Sequence, residues 1–123
     1  MRDVDRVWSR ACRNEGTGPG DRHLSTLLQV HGVLLNSGAA VTAGRFPPAE
    51  LLTAAASAEY FGLHSLARLL REIPAAAISR HDEQRLDDEY HDLDPDGLMI
   101  PAAFEEHYAE SHDDFDPVTT SPR

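Results

Sequence analysis

Apolar residues recur along this chain at helical spacing and almost nowhere alternate with polar ones. Val4, Val7, Trp8, Ala11 and Cys12 follow an i, i+3, i+4, i+7, i+8 pattern, which predicts a helix over 3–13 with one apolar stripe. A place on that stripe predicts a buried, inert thiol at Cys12. Asn14 to Gly20 is rich in glycine and predicts a linker loop. Asp21 is expected to cap the next helix. There Leu24, Leu27, Leu28, His31, Leu34 and Leu35, widened by Val30 and Val33, cover more than half the circumference, so this helix is expected at the centre. His31 on such a stripe reads as a satisfied core histidine rather than a catalyst. Asn36-Ser37-Gly38 predicts the stop, and 39–45 reads as a loop.

Phe46-Pro47-Pro48 opens a third helix over 48–61, with proline in the first turn and alanines that allow close packing. Gly62 punctuates, a fourth helix covers 63–72, and Pro74 ends it. Residues 75–78 fit a short helical turn. Ser79-Arg80-His81-Asp82 resembles a capping sequence ahead of a fifth helix over 82–93. Leu86, Tyr90 and Leu93 make a narrow stripe there, which predicts a surface helix. Asp94-Pro95-Asp96-Gly97 predicts a turn, Leu98-Met99-Ile100 an extended segment, and Pro101 the start of a sixth helix to about His112. In that helix Phe104, His107, Tyr108 and Ser111 recur at helical spacing, and 113–123 reads as a frayed polar tail. With no alternating runs and no internal repeat, the expectation is a single all-α domain over 1–123, a bundle of five or six helices. Its parts are an N-terminal helix (1–15), an apolar helical core (21–78), acidic helices (79–112) and the polar tail.

Composition supports a buried core: 41% of the 123 residues are hydrophobic and 26% charged. One cysteine excludes an intramolecular disulfide framework and any site that needs two cysteine ligands. No apolar run approaches the roughly 20 residues that span a bilayer. The first residues hold no apolar stretch of the signal-peptide kind. A cytoplasmic location is therefore expected.

Charge changes the picture more. All eleven basic residues are arginine, and 21 acidic residues leave a net −10. From Met1 to Ile78 there are 8 Arg against 7 Asp+Glu, a net of +1. From Ser79 to Arg123 there are 3 Arg against 14 Asp+Glu, a net of −11. Such a region repels phosphates, which disfavours free nucleic acid and anionic membranes, and it favours a basic protein partner.

Candidate chemistry is sparse. Asp92-Leu93-Asp94-Pro95-Asp96-Gly97 has the opening of a calcium loop, but position 12, where a bidentate Glu belongs, is Ala103; the segment reads as a turn. His81, His91, His107 and His112 lie among carboxylates without a spacing that demands a tetrahedral zinc site. No nucleophile elbow, phosphate-binding glycine loop or dinucleotide fingerprint occurs. The expectation is a protein that is not an enzyme and needs no cofactor.

Val30-His31-Gly32-Val33-Leu34-Leu35-Asn36, then Glu59-Tyr60-Phe61-Gly62-Leu63-His64-Ser65-Leu66-Ala67-Arg68-Leu69-Leu70, then Leu86-Asp87-Asp88-Glu89-Tyr90 and Phe104-Glu105-Glu106-His107-Tyr108 follow one another in an order with a counterpart. Over about two thirds of the chain this order resembles the acidic, all-helical DNA-mimic protein family, which is otherwise mostly of unknown function. The resemblance implies a non-enzymatic protein whose carboxylates imitate duplex phosphates and occupy the DNA-binding surface of a transcription factor or another nucleic-acid-binding protein. On that view Asp82, Glu83, Asp87, Asp88, Glu89, Asp92, Asp94 and Asp96 form one row. Glu105, Glu106, Glu110, Asp113 and Asp114, with Asp116 beyond them, form the other. The alternatives are a calcium- or zinc-binding protein that uses the His/Asp/Glu-rich last third, or a toxin-neutralising immunity protein.

Overall fold

The apolar stripes meet around the second helix. In a computed structural model, which describes residues 2–118, α1 (Asp3–Cys12), α2 (Pro19–Arg45), α3 (Pro48–Tyr60), α4 (His64–Glu72), α5 (Arg80–Leu93) and α6 (Met99–Ser111) follow in order. Two 3-10 turns, Ile73–Ala77 and His112–Asp114, complete the set, and among the described residues there is no strand. The protein is all-α, as its periodicity predicts.

The core runs through every helix. Val7 and Ala11 of α1, Leu24, Leu27, Val30 and Leu34 of α2, and Ala54, Ala55 and Ala58 of α3 are buried together. So are Leu66 and Leu70 of α4, Leu86 of α5 and Phe104 of α6. Helix α2 is long and apolar enough to cross a membrane by length and composition. In this fold Leu24, Leu27 and Leu34 are instead buried in the core, and the helix packs on α1, α3, α5 and both 3-10 turns, while Leu35 stays exposed.

Several ends follow from local chemistry. Ser79 caps α5, its hydroxyl accepting the Asp82 N–H at 3.2 Å. Helix α3 closes in a Schellman motif: Leu63 N–H reaches the Ala58 carbonyl at 2.8 Å and Gly62 N–H that of Glu59 at 2.9 Å. Gly62 takes the left-handed φ of 77° that this motif asks of a glycine.

Five expectations are corrected. Helix α2 starts at Pro19 with Gly18 as its cap, so Asp21 lies inside the first turn and is not the cap. Instead it turns inward, fully buried, and accepts the Arg10 Nε–H at 2.7 Å. Gly38 does break α2, at φ 86° and ψ 177°, but residues 39–45 resume the helix rather than forming a loop. The cap comes from far away: Asp87 of α5 accepts the Ala39 N–H at 2.8 Å. Leu98-Met99-Ile100 is not extended, because Asp94 accepts the Met99 N–H at 3.1 Å and starts α6 two residues before Pro101. Cys12 is exposed, since α1 ends there; Val7 and Ala11 are buried, and Val4 and Trp8 pack against the edge of the core.

The fifth correction concerns the tail, whose described part is ordered. Phe115 is buried with its ring centroid 5.7 Å from that of Phe104. Full burial of such a ring contributes about 1.5–3 kcal/mol. Gly20 makes room for it, because a Cβ there would lie 2.6 Å from the ring. The glycine-rich stretch is thus the expected loop between α1 and α2 and also the seat of the tail. Residues 119–123 of the expected tail lie outside the described residues.

Candidate functional site

Helix α5 lies on the surface with Leu86 and Tyr90 turned inward, packed on α4, α2 and the Ile73–Ala77 turn. A helix with so narrow an apolar stripe spreads its remaining side chains around most of its circumference. Its carboxylates consequently face different neighbours. Arg85 gathers three, lying 3.1 Å from Asp82, 3.3 Å from Glu89 and 3.2 Å from Glu72. Asp87 and Asp94 are held by the backbone N–H groups of Ala39 and Met99. Asp88 accepts from Gln84 at 3.0 Å. Glu83, Asp92 and Asp96 carry no ion pair among the described residues, and Asp92 and Asp96 are exposed.

The second row divides in the same way. Glu105 pairs with Arg2 at 3.2 Å. Asp113 is exposed beside His112 at 3.2 Å. Asp114 accepts the Tyr60 hydroxyl at 2.6 Å and lies 4.0 Å from His107 Nε2. Glu106 and Glu110, one turn apart on α6, are exposed and carry no ion pair among the described residues. They line a groove of about 520 Å³ together with Glu59, Phe61, Leu63 and His64 from the junction of α3 and α4. Between α4 and α5, Glu89 and Asp92 line a second groove with Ser65 and Arg68. Members of the two rows therefore line separate grooves.

Two polar clusters gave no separate signal in the sequence. In the first, the Tyr60 ring lies between His23, stacked at 4.3 Å, and His107 at 4.2 Å, while His23 Nδ1 shares a hydrogen bond with Ser57 at 2.9 Å. Burial pushes the His23 imidazole below its ordinary pKa, against the opposing pull of Asp114. Burial and the hydrogen bond to Asp114 push the Tyr60 phenol well above its own. His107 Nε2 is buried without a hydrogen-bond partner. In the second cluster, Asp116 N–H donates to Asp21 at 2.6 Å, Arg10 donates to the Asp116 carbonyl at 2.6 Å, and Thr17 N–H donates to the Asp116 carboxylate at 2.7 Å. That amide donation holds the Asp116 carboxyl below the usual range. Sequence reasoning gave Tyr60 no polar role, and it read Asp116 as part of a frayed tail and as the end of the second acidic row.

His31, by contrast, has the partner expected of a core histidine: its Nδ1 shares a hydrogen bond with the Tyr90 hydroxyl. Burial lowers the imidazole pKa and raises the phenol pKa. Among the described residues no three His, Cys, Asp or Glu side chains converge as a metal-holding group. Comparison with protein-family models, with curated proteins and with solved structures returns no match.

Proposed function

We propose that this protein is a binding protein rather than an enzyme, and that it engages a basic protein partner through the exposed carboxylates of α5 and α6. One observation carries the reading: although Arg2 meets Glu105, the arginines of the front of the chain leave most of the acidity behind them uncancelled. Arg10 pairs with Asp21, Arg13 with Glu15 and Arg71 with Glu59, all within the first 78 residues. Asp88, Asp92, Asp96, Glu106 and Glu110 stay exposed without an ion pair among the described residues. A field of one sign left open to solvent speeds encounter with the opposite sign and rejects like-charged surfaces.

The finer form, imitation of duplex phosphates at one charge per roughly 1.7 Å, needs an unbroken row. Asp82, Asp87, Glu89, Asp94, Glu105 and Asp114 all engage the protein's own donors, so the geometry supports the coarser form better. A basic toxin and a DNA-binding protein are both partners of the required chemistry.

The test is affinity capture from native extract at low salt and at about 1 M salt, where the screening length shrinks to about 3 Å. It is repeated with the variant Asp88→Asn/Asp92→Asn/Glu106→Gln/Glu110→Gln. Proteins with basic surfaces are expected to be retained at low salt, released at high salt and missed by the variant. A set of bound proteins indifferent to both salt and variant would overturn the proposal.

A further inference from the structure

We infer that the groove between the α3–α4 junction and α6 accepts an arginine side chain of the partner; this rests on the reading above and assigns a place to it. The groove, of about 520 Å³, is roomy enough for one long side chain. Within a lining that is more polar than apolar, Phe61, almost wholly buried, and half-buried Leu63 and Ala103 give it an apolar floor. Its α6 wall carries Glu106 and Glu110, and the far wall carries Glu59. Glu59 is already met by Arg71 at 3.1 Å and by His64, whereas Glu106 and Glu110 have no cation.

The other acid-lined grooves differ on this point. Between α4 and α5, Arg68 lines the groove and Glu89 is held by Arg85. Between α2 and α5, Asp87 and Asp94 are taken by backbone N–H groups. Between α1 and α6, Asp5 and Glu105 share Arg2. Only the α3–α6 groove, among those described, keeps two carboxylates without a counter-charge or a backbone donor.

The pairing of floor and wall fits a particular side chain. Like charges at i and i+4 on one helix repel, and a cation between them removes the repulsion. A long basic side chain lays an apolar stem on the floor and leaves its charged end at the wall. A planar guanidinium with five donors can bridge two carboxylates; an ammonium is a point charge. Tyr60, which also lines the groove, is held between the His23 and His107 rings.

The test is a titration of the full chain with N-acetyl-arginine amide, followed by NMR, with the lysine analogue in parallel. Saturable shifts are expected at Gly62, His64, Ala103 and His107, with arginine binding more tightly than lysine. Glu106→Gln/Glu110→Gln should fold as the parent does and lose about tenfold or more in affinity, the size of one charge-assisted contact of about 1.4 kcal/mol. Asp3→Asn/Glu50→Gln removes two charges outside the groove and should titrate like the parent. Shifts centred on α5, equal affinity for the lysine analogue, no titration at all, or an unchanged Glu106/Glu110 variant would each overturn the inference. If captured proteins remain salt-sensitive in any of those cases, the wider reading stands and only its placement fails. If capture is also indifferent to salt, both fall.

Discussion

Glu110 and Asp116 are six residues apart in the same acidic third, and the fold treats them in opposite ways. Glu110 stands on the outer face of α6, exposed and without a counter-charge. Asp116 is drawn in by the Thr17 amide, and its backbone is fastened to Asp21 and Arg10. The residue types are nearly identical, so composition does not separate them. What separates them is what stands opposite: the glycine-rich turn before α2 offers amides and space, and the groove beside Glu110 offers it no donor. A run of acidic residues can therefore serve two purposes, and the strap of 112–118 is distinguished from the surface of α5 and α6 by contacts made across about a hundred residues of sequence.

If the strap is structural, breaking it should cost stability, and the largest effect is expected at its one buried ring. Phe115→Ala is expected to destabilise by about 4 kcal/mol in urea denaturation, since the hole it leaves beside Gly20 and Phe104 has rigid walls. Asp21→Asn is expected to follow at about 3 kcal/mol, because it leaves the Arg10 guanidinium half-paired where the carboxylate is fully buried. A loss below about 1 kcal/mol in both would mean that the strap is held loosely, and the contrast with α6 would disappear.

Acidity should sharpen the comparison further. His23 and His31 have imidazoles depressed by burial. The unfolded chain takes up their protons near pH 6.5 and the folded chain only at lower pH, so stability falls as pH drops below about 6.5. Asp116 adds to the same limb: its folded pKa is depressed, and its contribution is lost as pH falls through the folded value. Tyr60 and Tyr90 have raised phenols, so the folded chain keeps protons that the unfolded chain releases near pH 10, and stability falls again above about that pH. A thermal-melt series should show a plateau between these limbs. His31→Gln should flatten the upper part of the acid limb; an unchanged limb would mean that the core histidines do not drive it.

Helix identity was legible because the 3.6-residue stripes are strong in 24–35, 51–61 and 63–70, and because Ser79 caps by a local rule. What was hidden shares one cause: the partner is remote. The helical restart after Gly38 depends on Asp87, 48 residues on. The order of the tail depends on Phe115 finding Gly20, and a lone aromatic among acids makes no periodic pattern. Cys12 illustrates the converse: a stripe places a residue on a face, but the last turn of a helix can run past the core it faces. The surface carboxylates were legible as a charge excess. Their division into fastened and free ones was not, because it depends on which donor the fold brings to each.

The smallest effect on stability is expected where the proposed function lies. Asp88→Asn/Asp92→Asn removes two exposed carboxylates one turn apart on α5, of which Asp88 gives up one contact with Gln84 and Asp92 none. Surface changes of this kind move stability by no more than about 0.5 kcal/mol, and easing an i, i+4 repulsion acts in the stabilising direction. Urea denaturation of this variant should therefore superimpose on that of the parent, or lie slightly above it, while salt-sensitive capture of basic proteins weakens. Asp116→Asn should do the reverse, lowering stability through the weakened charge-assisted contact with Thr17 and leaving capture intact. If the two variants instead changed stability and capture in parallel, the free and fastened carboxylates would belong to one structural network, and the acidity of α5 would need no partner to account for it.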